Sequence, residues 1–235
     1  MFGTYNTGSE INSGDIALSI RSKDESLFYS RVCAGETFEK TILTDPARII
    51  INPVEPVNKP RAVSNYLLLK PVSSVLIGPG ESRKIYLKFP VETGVFLEGS
   101  KKSRIIDIFS LNRSKYTLYG EPRGGVICRY WESEIYHSIP EANPLLEGVT
   151  ELKIINNHED WLELTRAVFN AYNMKIFYDS SLVSMKSEIQ ITNSKVASTY
   201  FLNEPFRSGM KSSLEIYRSK GFVQTSHSFI MEYGI

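Results

Sequence analysis

The stretch from Glu151 to Asp179, ELKIINNHEDWLELTRAVFNAYNMKIFYD, constrains the chain most, because it reads as three apolar bursts separated by two Asn-rich breaks. In the first burst Leu152 and Ile154 alternate with Lys153 and Ile155. In the third, Met174, Ile176 and Tyr178 alternate with Lys175, Phe177 and Asp179. A period of two puts successive side chains on opposite faces, which suits strands. The middle burst fits two periods. Trp161, Leu164, Thr165, Val168, Phe169 and Tyr172 fall at helical spacing, with His158, Glu159 and Asp160 placed to head a helix. Leu162, Leu164, Arg166 and Val168 also alternate. Because β-branched and aromatic residues fill the burst and short connections between flanking strands favour a meander, a strand is expected here.

The same signals run along the rest of the chain. Ile16, Leu18 and Ile20 alternate, followed by Leu27 to Cys33 and by Phe38, Lys40 and Ile42, with SKDES and AGE as turns between them. Arg48 to Ile51 leads into NPVEPVNKP, where Pro53, Pro56 and Pro60 fix an extended connection that crosses from one sheet to another. Further strands are expected at 66–69, 74–77, 83–89, 104–111, 115–119 and 126–136, and later near 189–191, 200–201, 214–217 and 229–233. Between Val149 and Glu204 there is neither Gly nor Pro, so Asn, Asp and Ser must make the turns. The expected fold class is all-β, with at most one or two short helices. HSIPEANPLLEG at 137–148 is expected to link an N-terminal β-sandwich, 1–136, to a C-terminal one, 149–235. The apolar strand, GPGES turn and alternating strand ending in Pro90, together Tyr66 to Pro90, resemble part of an immunoglobulin-like sandwich.

A chain of 235 residues buries roughly 70 to 75% of its unfolded surface, so it needs neither metal nor disulfide to hold a core. Its 27 basic and 26 acidic side chains give a formal charge of +1, which builds in no long-range attraction to nucleic acid or an anionic membrane. Cys33 and Cys128 are too few for a disulfide scaffold and too far apart for a common zinc spacing. They read as buried thiols in a reducing compartment, with a single long-range disulfide as the alternative. The start, MFGTYNTGSEINSGD, lacks the basic and apolar regions of a secretory signal, and no apolar run approaches the roughly 20 residues that span a bilayer. A cytoplasmic protein is expected.

Motifs for chemistry are sparse. His137, His158 and His227 share no metal-ligand spacing, no Ser lies in G-x-S-x-G, and GPGES lacks the ending of a phosphate loop. Glu132 and Glu134 fall on one strand face and could flank a sugar or hold a cation, although paired carboxylates more often line a solvated edge. Glu159, Asp160 and Glu163 lie in no calcium-binding loop. Trp131, Trp161, Tyr130 and Tyr172 could stack on sugar rings, and Arg166 lies in the same segment as Trp161. Lys101, Lys102, Arg104, Arg113 and Lys115 interleave with Tyr116 and Tyr119, as single-strand nucleic-acid readers require, yet no RNA-binding motif accompanies them. Lysines guarding an edge strand explain the run equally well.

The MFG start, INPVEPVNKP, LTRAVF at 164–169 and MKIFYDSSLVSM at 174–185 together resemble an archaeal family of uncharacterised proteins, a domain of unknown function. That resemblance implies an archaeal cytosolic protein and supplies no catalytic residues. With no nucleophile, metal or phosphate motif, the residues point to a non-enzymatic module that binds another protein or itself, without a cofactor. Weak candidate binding residues are Trp131, Glu132, Glu134, Trp161 and Arg166. A carbohydrate- or ligand-binding sandwich is the alternative, and an unrecognised hydrolase the third reading.

Overall fold

The computed structural model describes residues 1–44, 47–60, 63–99, 102–219 and 228–235, with the side chains of 218 and 219 excluded. His227 and Lys101 therefore lie outside the described residues. In chain order the strands are β1 (Gly3–Tyr5), β2 (Glu10–Ser13), β3 (Ile16–Lys23), β4 (Ser26–Cys33), β5 (Glu36–Leu43), β6 (Ile49–Val54), β7 (Tyr66–Pro71), β8 (Val75–Ile77), β9 (Ser82–Pro90), β10 (Glu92–Leu97) and β11 (Arg104–Phe109). They continue as β12 (Tyr116–Tyr119), β13 (Val126–Ser133), β14 (Glu147–Asn156), β15 (Leu162–Leu164), β16 (Ala167–Asn170), β17 (Phe177–Tyr178), β18 (Val183–Ile191), β19 (Ala197–Leu202), β20 (Lys211–Ser212) and β21 (Ser228–Met231). One 3₁₀ turn, Ala171–Asn173, and one helical turn, α1 (Ile216–Ser219), complete the described elements. The fold is all-β, with several sheets packed on one another as expected for sandwich architecture.

The antiparallel meander β2-β3-β4-β5 forms one layer. The alternation expected of β3 and β4 is present: Ile16, Leu18, Ile20, Leu27, Tyr29 and Cys33 are buried on one face. That face packs on Ile49, Ile51, Val95, Ile106 and Phe109 of the sheet β1-β6-β10-β11. The second sheet is buried on both sides, because Val54, Phe96 and Ile108 on its far face enclose Ile216 of α1. This double burial explains the unalternating apolar runs 49–51 in β6 and 95–97 in β10. Strand β10 was not expected from the sequence. Its residues Glu92, Thr93 and Gly94 interrupt any alternating pattern, yet all three are buried.

A larger core of Leu67, Leu69, Leu87, Phe89, Leu152, Val168, Phe169 and their neighbours joins three further sheets. These are β12-β13-β7-β16, the pair β15-β8, and a seven-stranded sheet with β20-β17-β18-β14-β9 in order and β19 and β21 beyond β18. The middle burst of the 151–179 stretch is indeed extended, as β15 and β16. The expected meander is not formed. Strand β14 pairs with β9 and runs parallel to β18, while β15 pairs with β8, β16 with β7 and β17 with β18. A parallel pair needs a long crossover, and the 157–182 stretch supplies it by sending short strands to other sheets. Along Tyr66 to Pro90, β7, β8 and β9 likewise enter three different sheets. The 137–148 segment joins β13 to β14, and strands on its two sides share sheets: β14 with β9, and β16 with β7. Residues 214–217, expected as a strand, lead instead into α1, which seats Ile216 and Tyr217 inward.

Chain passages between the two sheet systems are short. At Pro90–Val91 the chain leaves β9 and becomes β10 within one residue, and the Val91 N–H donates to Leu146 O at 3.0 Å. A second passage is the loop after β6, the EPVNKP segment, in which residues 55–58 are all buried, and a third is 110–115, between β11 and β12.

Candidate functional site

The five residues singled out in the sequence do not converge. Trp131 on β13 is half-buried against the larger core. Glu132 is exposed and bonded to Lys70 Nζ at 2.9 Å, a contact that lowers its pKa, the opposite of what a general acid needs. Glu134 lies exposed just beyond β13. Trp161 is 65% exposed, with its ring edge beside Gly78 of the GPGES turn. Arg166 is exposed, with Nε on Thr165 Oγ1 at 3.3 Å. Trp131 and Trp161 share no ring contact. The His158 to Asp160 segment is a turn held by the buried Asn156, whose amide donates to Gly78 O and Asp160 O, both at 2.9 Å. His158 Nδ1 accepts from the Asp160 N–H at 3.1 Å, so the ring serves the turn. His137 is exposed. Of the aromatic residues beside the basic run, Tyr119 is buried and Tyr116 donates its hydroxyl to Lys59 O, so neither is presented for stacking. GPGES is a tight turn, closed by Glu81 N–H on Gly78 O with Gly80 at φ +67°. Cys33 and Cys128 are free thiols buried in different cores. Among the described residues, no group of His, Cys, Asp and Glu is arranged to hold a metal, and no helix is long and apolar enough to cross a membrane.

Two other places carry unusual chemistry. The first is the outer face of the β2–β5 meander, which no described element covers. Register places Ser19, Ser30 and Glu39 in one outward row, Arg21, Phe28 and Thr41 in the next, and Lys23, Ser26 and Leu43 in the third. These rows bound a half-open groove of about 600 Å³. Phe28 is 42% exposed, Val32 44% and Leu43 85%, large apolar surface among the polar residues of this face. Among the described residues no strand pairs with the outer edge of β5, which leaves its alternate N–H and C=O groups open.

The second place is the seam where the chain passes between sheet systems. Glu92, the first residue of β10, pairs in register with Val54, immediately before Glu55. Its carboxylate accepts from the Asn58 and Lys59 N–H groups at 3.1 and 3.2 Å. Burial pushes Glu92 up to about 7, against these donors and the Arg129 guanidinium. The Glu55 carboxyl is buried with no side-chain donor on it among the described residues. Burial pushes it up to about 8, opposed by the N–H groups of Glu55 and Ile216 and helped by the nearby carboxylates Glu215 and Glu92. Arg129 on β13 is fully buried and places one N–H 3.4 Å from Arg113 O, while its Nε and Nη1 find no partner among the described residues. Its guanidinium lies 5.8 Å from the Tyr116 ring centre.

A family model described as a protein of unknown function, DUF432, matches residues 1–232. The chain belongs to the DUF432 family. No curated protein and no solved structure matches it. The seam of this DUF432 protein is built largely from INPVEPVNKP, the segment whose prolines mark it as a crossing. What the sequence did not reveal is that Glu55, Asn58 and Glu92 are interior. The available signal was Val54 and Val57 flanking Glu55 and Pro56, an apolar spacing unusual in a solvated loop.

Proposed function

We propose that this protein is a non-enzymatic, cytoplasmic interaction module that takes an extended acidic segment of a partner protein on the outer face of its β2–β5 meander. The observation that carries this reading is the uncovered face itself, with Phe28 and Leu43 exposed beside a free β5 edge. An extended segment added to β5 would gain main-chain hydrogen bonds, and its alternate side chains would reach Phe28. Lys23 and Arg21 flank that position; Arg21 is held by an exposed pair with Glu10 at 3.2 Å that a carboxylate of the segment can replace, while Glu36 and Glu39 on β5 disfavour indiscriminate pairing. Two buried free thiols accord with a reducing compartment.

Selection from a random displayed-peptide library tests the reading. Wild-type protein is expected to enrich peptides that combine an apolar residue with Asp or Glu, and Phe28→Asp with Leu43→Ser is expected to abolish their binding. Failure to enrich any peptide, or enrichment of peptides that bind the double variant equally, overturns it. A dimer in sedimentation velocity that Phe28→Asp dissociates would also overturn it, by showing the face covered by a second copy.

A further inference from the structure

A strand added to β5 turns one set of its side chains towards Phe28 and the other set into the mouth between the two sheets of the first sandwich. Pairing with β4 fixes what that second set meets: on the inward row Ile42, Lys40 and Phe38 lie opposite Leu27, Tyr29 and Arg31. The three β4 residues are buried, whereas no residue of β5 is. Phe38 and Ile42 are half-buried and pack on the rim of the core. Lys40, between them, is exposed and sends Nζ across the mouth to Ile106 O of β11 at 3.1 Å. Strand β11 is the edge of the facing sheet, with β10 as its neighbour among the described residues. The two sheets thus end together on this side, and a lysine spans the gap.

We propose that Lys40 is the specificity-determining residue of the β5 edge, which accepts a partner segment carrying an acidic residue with an apolar residue two positions before it and another two positions after it. The acid faces Lys40, and the apolar pair faces Phe38 and Ile42. This rests on the strand addition proposed above and specifies which segment the edge takes. Directly opposed side chains of a ladder share a face and alternate along it, so three inward positions of β5 call for three of the partner at the same spacing. Apolar residues opposite Phe38 and Ile42 remove from water a rim that β5 leaves exposed.

Lys40 selects the residue between them. An inward-pointing charge on an edge strand penalises any wholly apolar strand that pairs there. A carboxylate lifts the penalty. Among the described residues no carboxylate of this chain pairs with Lys40, whose contacts are Ile106 O and the Phe38 ring centre 6.0 Å away, so the ammonium keeps donors free for the partner. Arg104, exposed on β11 two residues before Ile106, adds positive charge along the same edge. The pattern also rejects a second copy of this chain. Two antiparallel β5 strands in the register that matches Phe38 with Ile42 bring Lys40 opposite Lys40, and like charges directly opposed are destabilising.

Displayed-peptide selection on the full chain, with wild type and Lys40→Glu as baits, tests this. The wild-type pool is expected to show Asp or Glu with apolar residues two positions to either side, and the Lys40→Glu pool to keep the apolar spacing with Lys or Arg at its centre. A synthetic valine–threonine–glutamate–threonine–valine peptide should bind Lys40→Glu roughly fivefold more weakly than wild type, and its lysine-centred counterpart correspondingly more tightly. Acids enriched at no fixed spacing from apolar residues, or a pool unchanged by Lys40→Glu, overturn the proposal; if that pool is still lost with Phe28→Asp and Leu43→Ser, the interaction reading stands without it. Failure to enrich any peptide overturns both. Should Lys40→Glu fail to fold, Lys40→Met replaces it: the preference for glutamate over glutamine at the centre should fall roughly threefold, and an unchanged preference overturns the proposal.

Discussion

Asp107→Ala would strand the guanidinium of Arg31 and the hydroxyl of Tyr29 inside the first sandwich. In the native protein Asp107 Oδ2 accepts from Arg31 Nε at 2.7 Å and from Tyr29 OH at 3.0 Å, and the Arg31 and Asp107 side chains are only 5% and 3% exposed. The guanidinium lies 5.0 Å from the Phe109 ring centre and 5.7 Å from that of Phe38, so no water replaces the lost carboxylate. Breaking one side of such a pair costs about 3 to 5 kcal/mol. The stranded hydroxyl adds on the order of 1 kcal/mol. Against a total stability of roughly 5 to 15 kcal/mol, this single change removes a large share. Replacing both partners tells a different story. Arg31→Met with Asp107→Leu removes the desolvation cost along with the attraction and should lie within about 1 kcal/mol of wild type, or above it. The assay is urea denaturation of Asp107→Ala and of the four proteins of the cycle, wild type, Arg31→Met, Asp107→Leu and the double variant. Circular dichroism should follow it, because both tryptophans lie in the second half of the chain, outside the core that holds this pair. A coupling energy above 2 kcal/mol is expected. An Asp107→Ala protein within 1 kcal/mol of wild type, or a double variant as damaged as the sum of the singles, would refute the reasoning.

Gly148→Ala puts a methyl group 2.3 Å from the ring of Phe89, its buried register partner, and should cost about 1 to 3 kcal/mol by denaturation. Gly209, at φ +90° with open space around it, should lose only about 1 kcal/mol on the same change, through backbone strain alone. Native protein should not react with a thiol reagent, since burial raises both thiols, that of Cys128 to about 12; after unfolding, both cysteines should label. Arg129→Met should stabilise the protein near pH 5, where Glu92 is protonated and the arginine is a buried cation with unpartnered donors. The gain should shrink or reverse above about pH 7, once Glu92 ionises and loses its cation.

Strands packed on one side were legible, because one face of β3, β4 or β9 meets a core and the other meets water. Ile85, Leu87 and Phe89 are buried as their alternation requires, and Tyr86 and Lys88 are not. Strands buried on both faces left no such trace. In β10 the run ETGVFL contains a carboxylate, a hydroxyl and a glycine, yet all but Leu97 are buried, because the meander packs on one side and Ile216 of α1 on the other. Gly94 is there for room: a methyl group would sit 2.7 Å from Val54 and 2.6 Å from Phe96. Pairing partners were illegible for a different reason. Periodicity says which face of a strand is apolar and nothing about its neighbour, so a meander was the default where the chain makes the parallel pair β14–β18.

The seam escaped for a reason that bears on its role. A buried acid is identified by its surroundings, and those of Glu55 are drawn from β10 and from Glu215 and Ile216, about 35 and 160 residues further along the chain. Locally, Glu55 between Pro53, Val54 and Pro56 looks like the single solvated residue of an extended connection. The tertiary structure inverts this, because the connection runs between two sheet systems instead of over the surface, and every backbone group along it needs an interior partner. Asn58 answers part of that demand by donating to Glu55 O at 2.6 Å, and Glu92 answers another part by accepting the next two N–H groups. Glu92 therefore has a structural duty along this connection, and its N–H donors oppose the burial that pushes its pKa up. Glu55 is served in the same way by its own N–H and by that of Ile216, so the turn into α1 and the connection after β6 meet at one buried carboxyl that neither segment reveals alone.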